Sequence, residues 1–325
     1  MAASELESPP ALLLTAGLGT RLRPLTYVRA KPAVPVNGDA LVRRILIWLT
    51  SHGVHDVVLN LHHRPESVAA VVGDGSDLGV RARYSWEQPV LGSAGGPRHA
   101  LPLLTERGRE QFLVVNGDTL TSVDLGAMLR AHVVSGAQVT MALIPNPRPD
   151  KYGGVRLSDG GYVTGFTRAG APGESFHFVG VQVAEARAFT VLDDGMPAES
   201  VNMLYPRLLA EDARSVAGFV SGASFSDIGT PRDYLETSLG LAAIEGAHLT
   251  EGRRISVSPS ADVIRTALWD DVSVGPDARL TDCIVCDGAS VPAGARYARS
   301  AIVRAEGIVP NQGDRIEGDL LVRDI

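Results

Sequence analysis

Four cations, Arg21, Arg23, Arg29 and Lys31, crowd into one short stretch near the start of the chain, LLLTAGLGTRLRPLTYVRAKP. An apolar run that reads as a buried strand turns on Gly17 and Gly19 and then presents these charges, so the stretch predicts an anion site. The pattern G-x-x-x-x-G-K-[ST] is absent, and Leu22 stands where the third glycine of G-x-G-x-x-G would fall, so neither familiar phosphate cradle is present. What remains is a turn offering backbone N–H groups from Gly17 to Thr20, followed by Arg21, whose planar fork can hold two phosphate oxygens at once. A triphosphate fits that arrangement. Lys31, followed by Pro32, adds a compact charge for a second phosphate or for the one under attack. A solvated basic turn is the competing reading.

A nucleotide site of this kind needs a metal. FLVVNGDTL puts Asp118 directly after a buried strand, with Gly117 allowing close approach, and SFSDIGTPRDYLETS puts Asp227 at a similar strand end before a helix starting near Pro231. Two carboxylates at strand ends could share one Mg²⁺, although an aspartate in such a place is also a common helix cap or turn residue. His62 and His63 in NLHHRPE follow a strand, where loop packing or capping of the next helix is the expected role.

These residues need elements to position them. The chain has 325 residues, 45% hydrophobic and 21% charged, enough for one large core and a second domain. A net charge of −7 excludes a surface devoted to nucleic acid, so any anion site is local. The leader MAASELESPP is acidic without an apolar core, and no later apolar run has the length of a bilayer span, so a soluble, cytoplasmic protein without membrane partners is expected. Cys283 and Cys286 form a lone C-x-x-C with no second pair for zinc, and read as small residues of a strand.

As far as about Gly246, Val/Leu-rich runs alternate with amphipathic stretches: ALLLTAG, ALVRRILIWLTSHG, VHDVVLNL, PESVAAVVGDG, VRARYSW, GPRHALPLL, QFLVVNGD. This βαβ alternation predicts a mostly parallel sheet whose ligands sit beyond the carboxyl ends of its strands. YGGVRLSDGGYVTGF predicts a hairpin turning at SDGG, and FHFVGVQVA a further strand in an antiparallel portion. After Gly246 the period changes. Val257, Val274 and Val291 recur at a spacing of 17 (274 − 257 = 291 − 274), with Ala261, Ala278 and Ala295 in one further column and Ala267, Ile284 and Ala301 in another. Such columns fit a parallel β-helix whose turns bury apolar positions only against neighbours. The final GIVPNQGDRIEGDLLV loses the phase and reads as a cap. A repeat of this kind is expected to serve assembly, in a homo-oligomer, more than chemistry.

The order GLGTRLRPLT…KP, LGSAGGPRHAL, VNGD, FHFVGVQV and FSDIGTPRDYLE resembles the sugar-1-phosphate nucleotidylyltransferases, from about Leu12 to Leu239. The resemblance implies attack of a sugar-1-phosphate on the α-phosphorus of an NTP, giving an NDP-sugar and pyrophosphate. It implies an α/β fold: a Rossmann-like, mostly parallel nucleotidyltransferase domain over residues 1–245 and a short left-handed parallel β-helix over 246–325. Arg21 resembles the arginine that clamps the triphosphate, Lys31 the lysine at the reaction centre, and Asp118 and Asp227 the Mg²⁺ ligands. Leu14, Ala16, Gly17, Gly19, Thr20, Glu87, Gly92 and Ser93 fall at nucleotide-binding positions. Asn116, Gly153, Arg168 and Gly180 fall at sugar-phosphate positions.

The chain also departs from the family. FTRAG stands where many members carry Glu-Lys-Pro, so Thr167 replaces a glutamate that would contact sugar hydroxyls, and Arg168 replaces a lysine on the sugar phosphate. SWEQPVLGSAGG should lie against the base, with Glu87 where some pyrimidine-specific members have glutamine. A carboxylate only accepts hydrogen bonds, which suits guanine N1–H and its amino group. GTP with mannose-1-phosphate is therefore the expected pair. UTP or dTTP with another hexose phosphate is the alternative, and a non-catalytic regulatory subunit that binds nucleotide-sugar is the alternative from another class.

Overall fold

A computed structural model describes residues 8–246 and 252–325; most of the acidic leader, and the residues just beyond the expected boundary at 245, lie outside the described residues. The chain forms two compact units. The first holds the residues up to Gly17, Arg43–Pro65 and Val72–Ser226; the second holds Leu18–Val42, Glu66–Val71 and the residues from Asp227 on. This division is not the one expected at 245, because the basic stretch and the helix Pro231–Glu245 belong with the C-terminal repeats.

The first unit is built on one sheet with nine strands: β1 (Ala11–Leu14), β2 (Asp56–Leu61), β3 (Arg81–Trp86), β4 (Gln111–Asn116), β5 (Val139–Pro145), β6 (Gly154–Leu157), β7 (Val163–Thr167), β8 (Phe176–Glu185) and β9 (Val216–Val220). Their order is β7-β6-β8-β4-β1-β2-β3, with β5 beside β8 and β9 beside β5. The four neighbours β4, β1, β2 and β3 run parallel, as the alternation of strands and helices predicts. Ala11, Leu12 and Leu13 have no exposed surface, the signature of a strand covered on both faces. β8 is antiparallel to β4 and β5, and the hairpin β6–β7 turns at Ser158–Gly161, where the Gly161 N–H donates to the Ser158 carbonyl at 2.9 Å. Leu12, Val58, Val114, Val139, Met141, Phe189 and Tyr205 share its core.

In the second unit the columns seen in the sequence are hydrogen-bonded ladders. Val257 pairs with Val274 and Val274 with Val291; Ala267 pairs with Ile284 and Ile284 with Ala301, all parallel. A third parallel ladder runs through Val263, Leu280 and Tyr297. The out-of-phase tail forms an antiparallel hairpin, Asp314–Glu317 with Leu320–Asp324, added to Ser300–Arg304. Leu268, Val274, Leu280, Val285, Val291 and Ile302 fill the interior of the repeats. Cys283 and Cys286 are free and buried, and burial pushes both thiols up; they flank the strand Ile284–Val285 rather than lying in it as expected.

Candidate active site

In the first unit the candidate residues gather where parallel strands end. Leu14 pairs with Asn116, and the Gly117 N–H donates to the Leu14 carbonyl at 3.0 Å. A methyl on Gly117 would lie 2.6 Å from that carbonyl, so only glycine lets the two strand ends close. Asp118 follows, half-buried, with its Oδ1 accepting from Thr119 Oγ1 at 3.2 Å. On the neighbouring β8 the pairing slips between Phe178 and Gln182, and Gly180 there takes φ 80°. Its missing side chain makes room for Asn116, whose Nδ2 would sit 2.7 Å from a methyl at that position. Leu14, Asn116, Asp118 and Gly180 are thus one cluster.

Gly153 and Arg168 also come together, across the hairpin. Gly154 pairs with Thr167, and a methyl on Gly153 would lie 2.9 Å from the Thr167 carbonyl. Beside them Tyr152, His177 and Phe225 form a ring cluster, with centroids 4.4 Å apart for Tyr152–His177 and 4.5 Å for His177–Phe225. Burial pushes His177 down, against a bond with the Gly153 backbone, so the ring is neutral near pH 7. The sequence reading did not single out these rings.

Glu87 is where the structure corrects the sequence. Its carboxylate is 4% exposed and turned inward. One oxygen accepts from Asn60 Nδ2 at 2.6 Å and the other from the Leu91 N–H at 2.8 Å, at the start of the helix Gly92–Leu104. Asn60 in turn accepts the Thr15 and Ala16 N–H groups on its Oδ1, at 2.5 and 3.3 Å, and its carbonyl takes the Thr15 hydroxyl. Glu87 therefore fixes Asn60, and Asn60 fixes the first residues after β1. The amides of Thr15 and Ala16 are spent inside the fold rather than offered to a ligand. The signal for this tie was a polar residue closing the apolar run VVLN. His62 Nδ1 lies 2.9 Å from the Glu87 carbonyl, in keeping with a packing role.

Gly92 and Ser93 are likewise engaged within the unit. Ser93 Oγ donates to Glu199 at 2.6 Å and accepts the Ser200 N–H at 2.9 Å, while the Ala198 carbonyl takes the Ala94 and Gly95 N–H groups. Gly92, at φ 79°, would bring a methyl 2.8 Å from that carbonyl. Both residues seat a helix on the segment Ala198–Ser200.

In the second unit the basic stretch folds into three tight turns, Thr20–Leu22, Leu25–Tyr27 and Lys31–Ala33. Gly19, at φ 59°, is required: a methyl there would lie 2.7 Å from Thr26 Cγ2, and its carbonyl accepts both the Leu22 N–H and the Thr26 hydroxyl. Thr20 and Arg21 are exposed on the first turn, and Lys31, half-buried, opens the third. Asp227, also half-buried, closes the strand Phe225–Asp227, and Thr230 caps the helix that follows by accepting the Asp233 N–H at 3.2 Å. Arg29 is not available to an anion at all, because it bonds Asp270 and Asp287 at 2.8 and 2.7 Å. Among the described residues no three His, Cys, Asp or Glu side chains gather into a metal cluster, and no helix is long and apolar enough to cross a membrane.

In the first unit, strand ends thus converge on an aspartate opened by Gly117, and a cluster of rings lies beside Gly153 and Arg168. Comparison with known proteins agrees. Mannose-1-phosphate guanylyltransferase of Mycobacterium tuberculosis is 30% identical over 295 residues, covering 87% of this chain and 81% of its own length. UTP–glucose-1-phosphate uridylyltransferase of Synechocystis is 25% identical over 315 residues, covering 86% and 81%. The crystal structure of HddC from Yersinia pseudotuberculosis shares the fold, with a TM-score of 0.63 at 20% identity over 72% of this chain and 99% of that one. The family described as Nucleotidyl transferase matches residues 10–243, and by that match, together with these relatives, the chain belongs to it as a sugar-1-phosphate nucleotidyltransferase.

Proposed function

We propose that the protein transfers a guanylyl group from GTP to mannose-1-phosphate, releasing pyrophosphate and GDP-mannose. One observation carries the choice of substrates: the relative named mannose-1-phosphate guanylyltransferase is 30% identical, against 25% for the uridylyltransferase, over a similar share of this chain. With Glu87 turned inward, the carboxylate argument for guanine no longer contributes.

The nucleophile, a sugar phosphate, is already anionic and needs no general base, so catalysis reduces to in-line placement and charge neutralisation. Arg21 and Lys31 are the cations assigned to the triphosphate and to the phosphate under attack. Asn116, Gly180, Gly153 and Arg168 are assigned to the sugar phosphate, and arginine holds that group bidentately where a lysine would be a point charge. Asp118 and Asp227, each a hard-oxygen donor at a strand end, are assigned to Mg²⁺ by that donor chemistry; when bound, the ion neutralises phosphate charge. The C-terminal ladders are assigned as a left-handed parallel β-helix in a homo-oligomer.

The test is a matrix of GTP, UTP, dTTP and ATP against mannose-1-phosphate and other hexose-1-phosphates, read by pyrophosphate release. Turnover is expected to be led by GTP with mannose-1-phosphate, abolished by EDTA, and absent from a folded Asp118→Asn variant. Leadership by UTP or dTTP would replace the substrate assignment by the uridylyl or thymidylyl alternative. Nucleotide-sugar binding without turnover in any combination would point to a regulatory subunit.

A further inference from the structure

The repeats carry a column of charge: Arg253, Asp270, Asp287 and Arg304 follow one another at the spacing of 17. The Asp270 N–H donates to Asp287 Oδ1 at 3.1 Å, and the Arg253 N–H donates to Asp270 Oδ1 at 2.7 Å, so both carboxylates are held by backbone. Two carboxylates stacked on adjacent turns repel one another unless a cation lies between them. That cation comes from outside the repeats. Arg29 forks onto Asp287, Nε to Oδ2 at 2.7 Å and Nη2 to Oδ1 at 2.8 Å, and Nη2 also reaches Asp270 Oδ2 at 2.8 Å.

The guanidinium lies 5.5 Å from the centre of the Trp269 ring, which is 1% exposed. Trp269 Nε1 donates to Tyr234 Oη at 2.8 Å, and Tyr234 Oη donates to the Pro35 carbonyl at 2.5 Å. Arg323 Nη1 donates to the Arg23 carbonyl at 3.2 Å, and Asn311 Nδ2 bonds Tyr27 Oη. The stretch bearing Arg21 and Lys31 is thus fastened at Arg23, Tyr27, Arg29 and Pro35 by residues from the last third of the chain. Burial alone would raise the Asp270 carboxyl and lower Arg29; the Arg253 N–H and then Arg29 outweigh it at Asp270, and Asp287 and then Asp270 outweigh it at Arg29, holding Asp270 below and Arg29 above their ordinary values.

We propose that Arg29, clamped by Asp270 and Asp287, is a positioning residue: through it the C-terminal repeats set where Arg21 and Lys31 stand to receive the triphosphate. The inference rests on the function proposed above for its ligand, but the anchoring itself does not. The tight turns at Thr20–Leu22 and Lys31–Ala33, together with the Thr26–Gly19 bond, leave little slack between the clamp and the two cations, so a loosened Arg29 displaces them together.

The experiment uses the full-length protein with Arg29→Ala, Arg29→Lys and Asp287→Asn. Hydrogen exchange without nucleotide should speed up across residues 18–31 in Arg29→Ala and Asp287→Asn. In the kinetic arm kcat/KM for the NTP should fall by about 10–100-fold, the usual cost of a small misplacement, with KM for the sugar phosphate little changed. Arg29→Lys, keeping the charge without the fork, should recover part of the loss. In the Arg21→Ala background Arg29→Ala should weaken Mg-NTP binding less than it does in the wild type, since part of its effect runs through Arg21 and only the part through Lys31 is left. Unchanged exchange in folded Arg29→Ala, or losses that multiply in the double variant, would overturn the proposal. Should Arg29→Ala not fold, Asp287→Asn carries the same readouts. A wild type without turnover strikes the proposed function alone, because exchange is read without ligand.

Discussion

Glu87→Gln probes the inward tie at the start of the loop that follows β1. Glutamine keeps the shape of glutamate but carries one oxygen and one NH₂, while Asn60 Nδ2 and the Leu91 N–H each need an acceptor, at 2.6 and 2.8 Å in the native protein. Whichever way the new amide lies, one donor faces another. Asn60 cannot turn over to relieve this, because its Oδ1 already accepts the Thr15 and Ala16 N–H groups. Losing one charge-assisted bond and stranding a buried donor costs about 1.5–3 kcal/mol. At about 2–4 °C per kcal/mol for units of this size, the melting temperature falls by about 3–12 °C. The assay is thermal unfolding of the purified variant, followed by kcat/KM for GTP and for UTP with the same sugar phosphate. Their ratio should stay at the wild-type value, since the carboxylate is 4% exposed and meets no base. An unchanged melting temperature together with a narrowed preference for GTP would refute the tie and return Glu87 to the base.

Gly180→Ala forces a left-handed backbone on alanine, about 1–2 kcal/mol, and sets a methyl 2.7 Å from Asn116 Nδ2, so it should lower stability and raise KM for the sugar phosphate more than for the NTP. Equal effects on both constants would remove Asn116 and Gly180 from the sugar-phosphate side. His132 is 2% exposed, and burial lowers its pKa despite its bond to Glu185, so the unfolded chain takes up a proton that the folded ring refuses. Unfolding free energy in urea should therefore decline as pH drops below about 6.5, and His132→Gln should flatten that slope; parallel slopes would show that His132 does not carry it.

The sheet and the repeats were legible because each rests on a short-range period. Runs such as ALLL and FLVV announce strands covered on both faces, and the valines at 257, 274 and 291 announce their own pairing. Gly117 was legible as a place where backbone must approach, and the structure brings the Leu14 carbonyl against it. Glu87 was misread because an acidic residue in a loop looks like a ligand contact until its buried partner is known, and Asn60 lies 27 positions away. Arg29 was misread for a related reason. Four cations close together look alike, and only the partners at 270 and 287 show that Arg29 is spent on structure. The boundary between units was hidden likewise, since the basic stretch belongs with residues made far later.

The bond between Arg29 and Asp287 spans 258 positions. At a ribosomal pace of about 5–20 residues per second, the arginine is made about 13–50 s before the carboxylate that seats it. The basic stretch is thus among the first segments to emerge and among the last to be secured. A chain stopped short of Asp287 already contains Arg21, Lys31, Asp118 and Asp227, every charge assigned to the chemistry, yet lacks the seat for the two cations. On the positioning role proposed for Arg29, a chain stopped there is complete in these groups and slowed as Arg29→Ala is, by about 10–100-fold, so that the last turns of the repeats tune the chemistry without taking part in it.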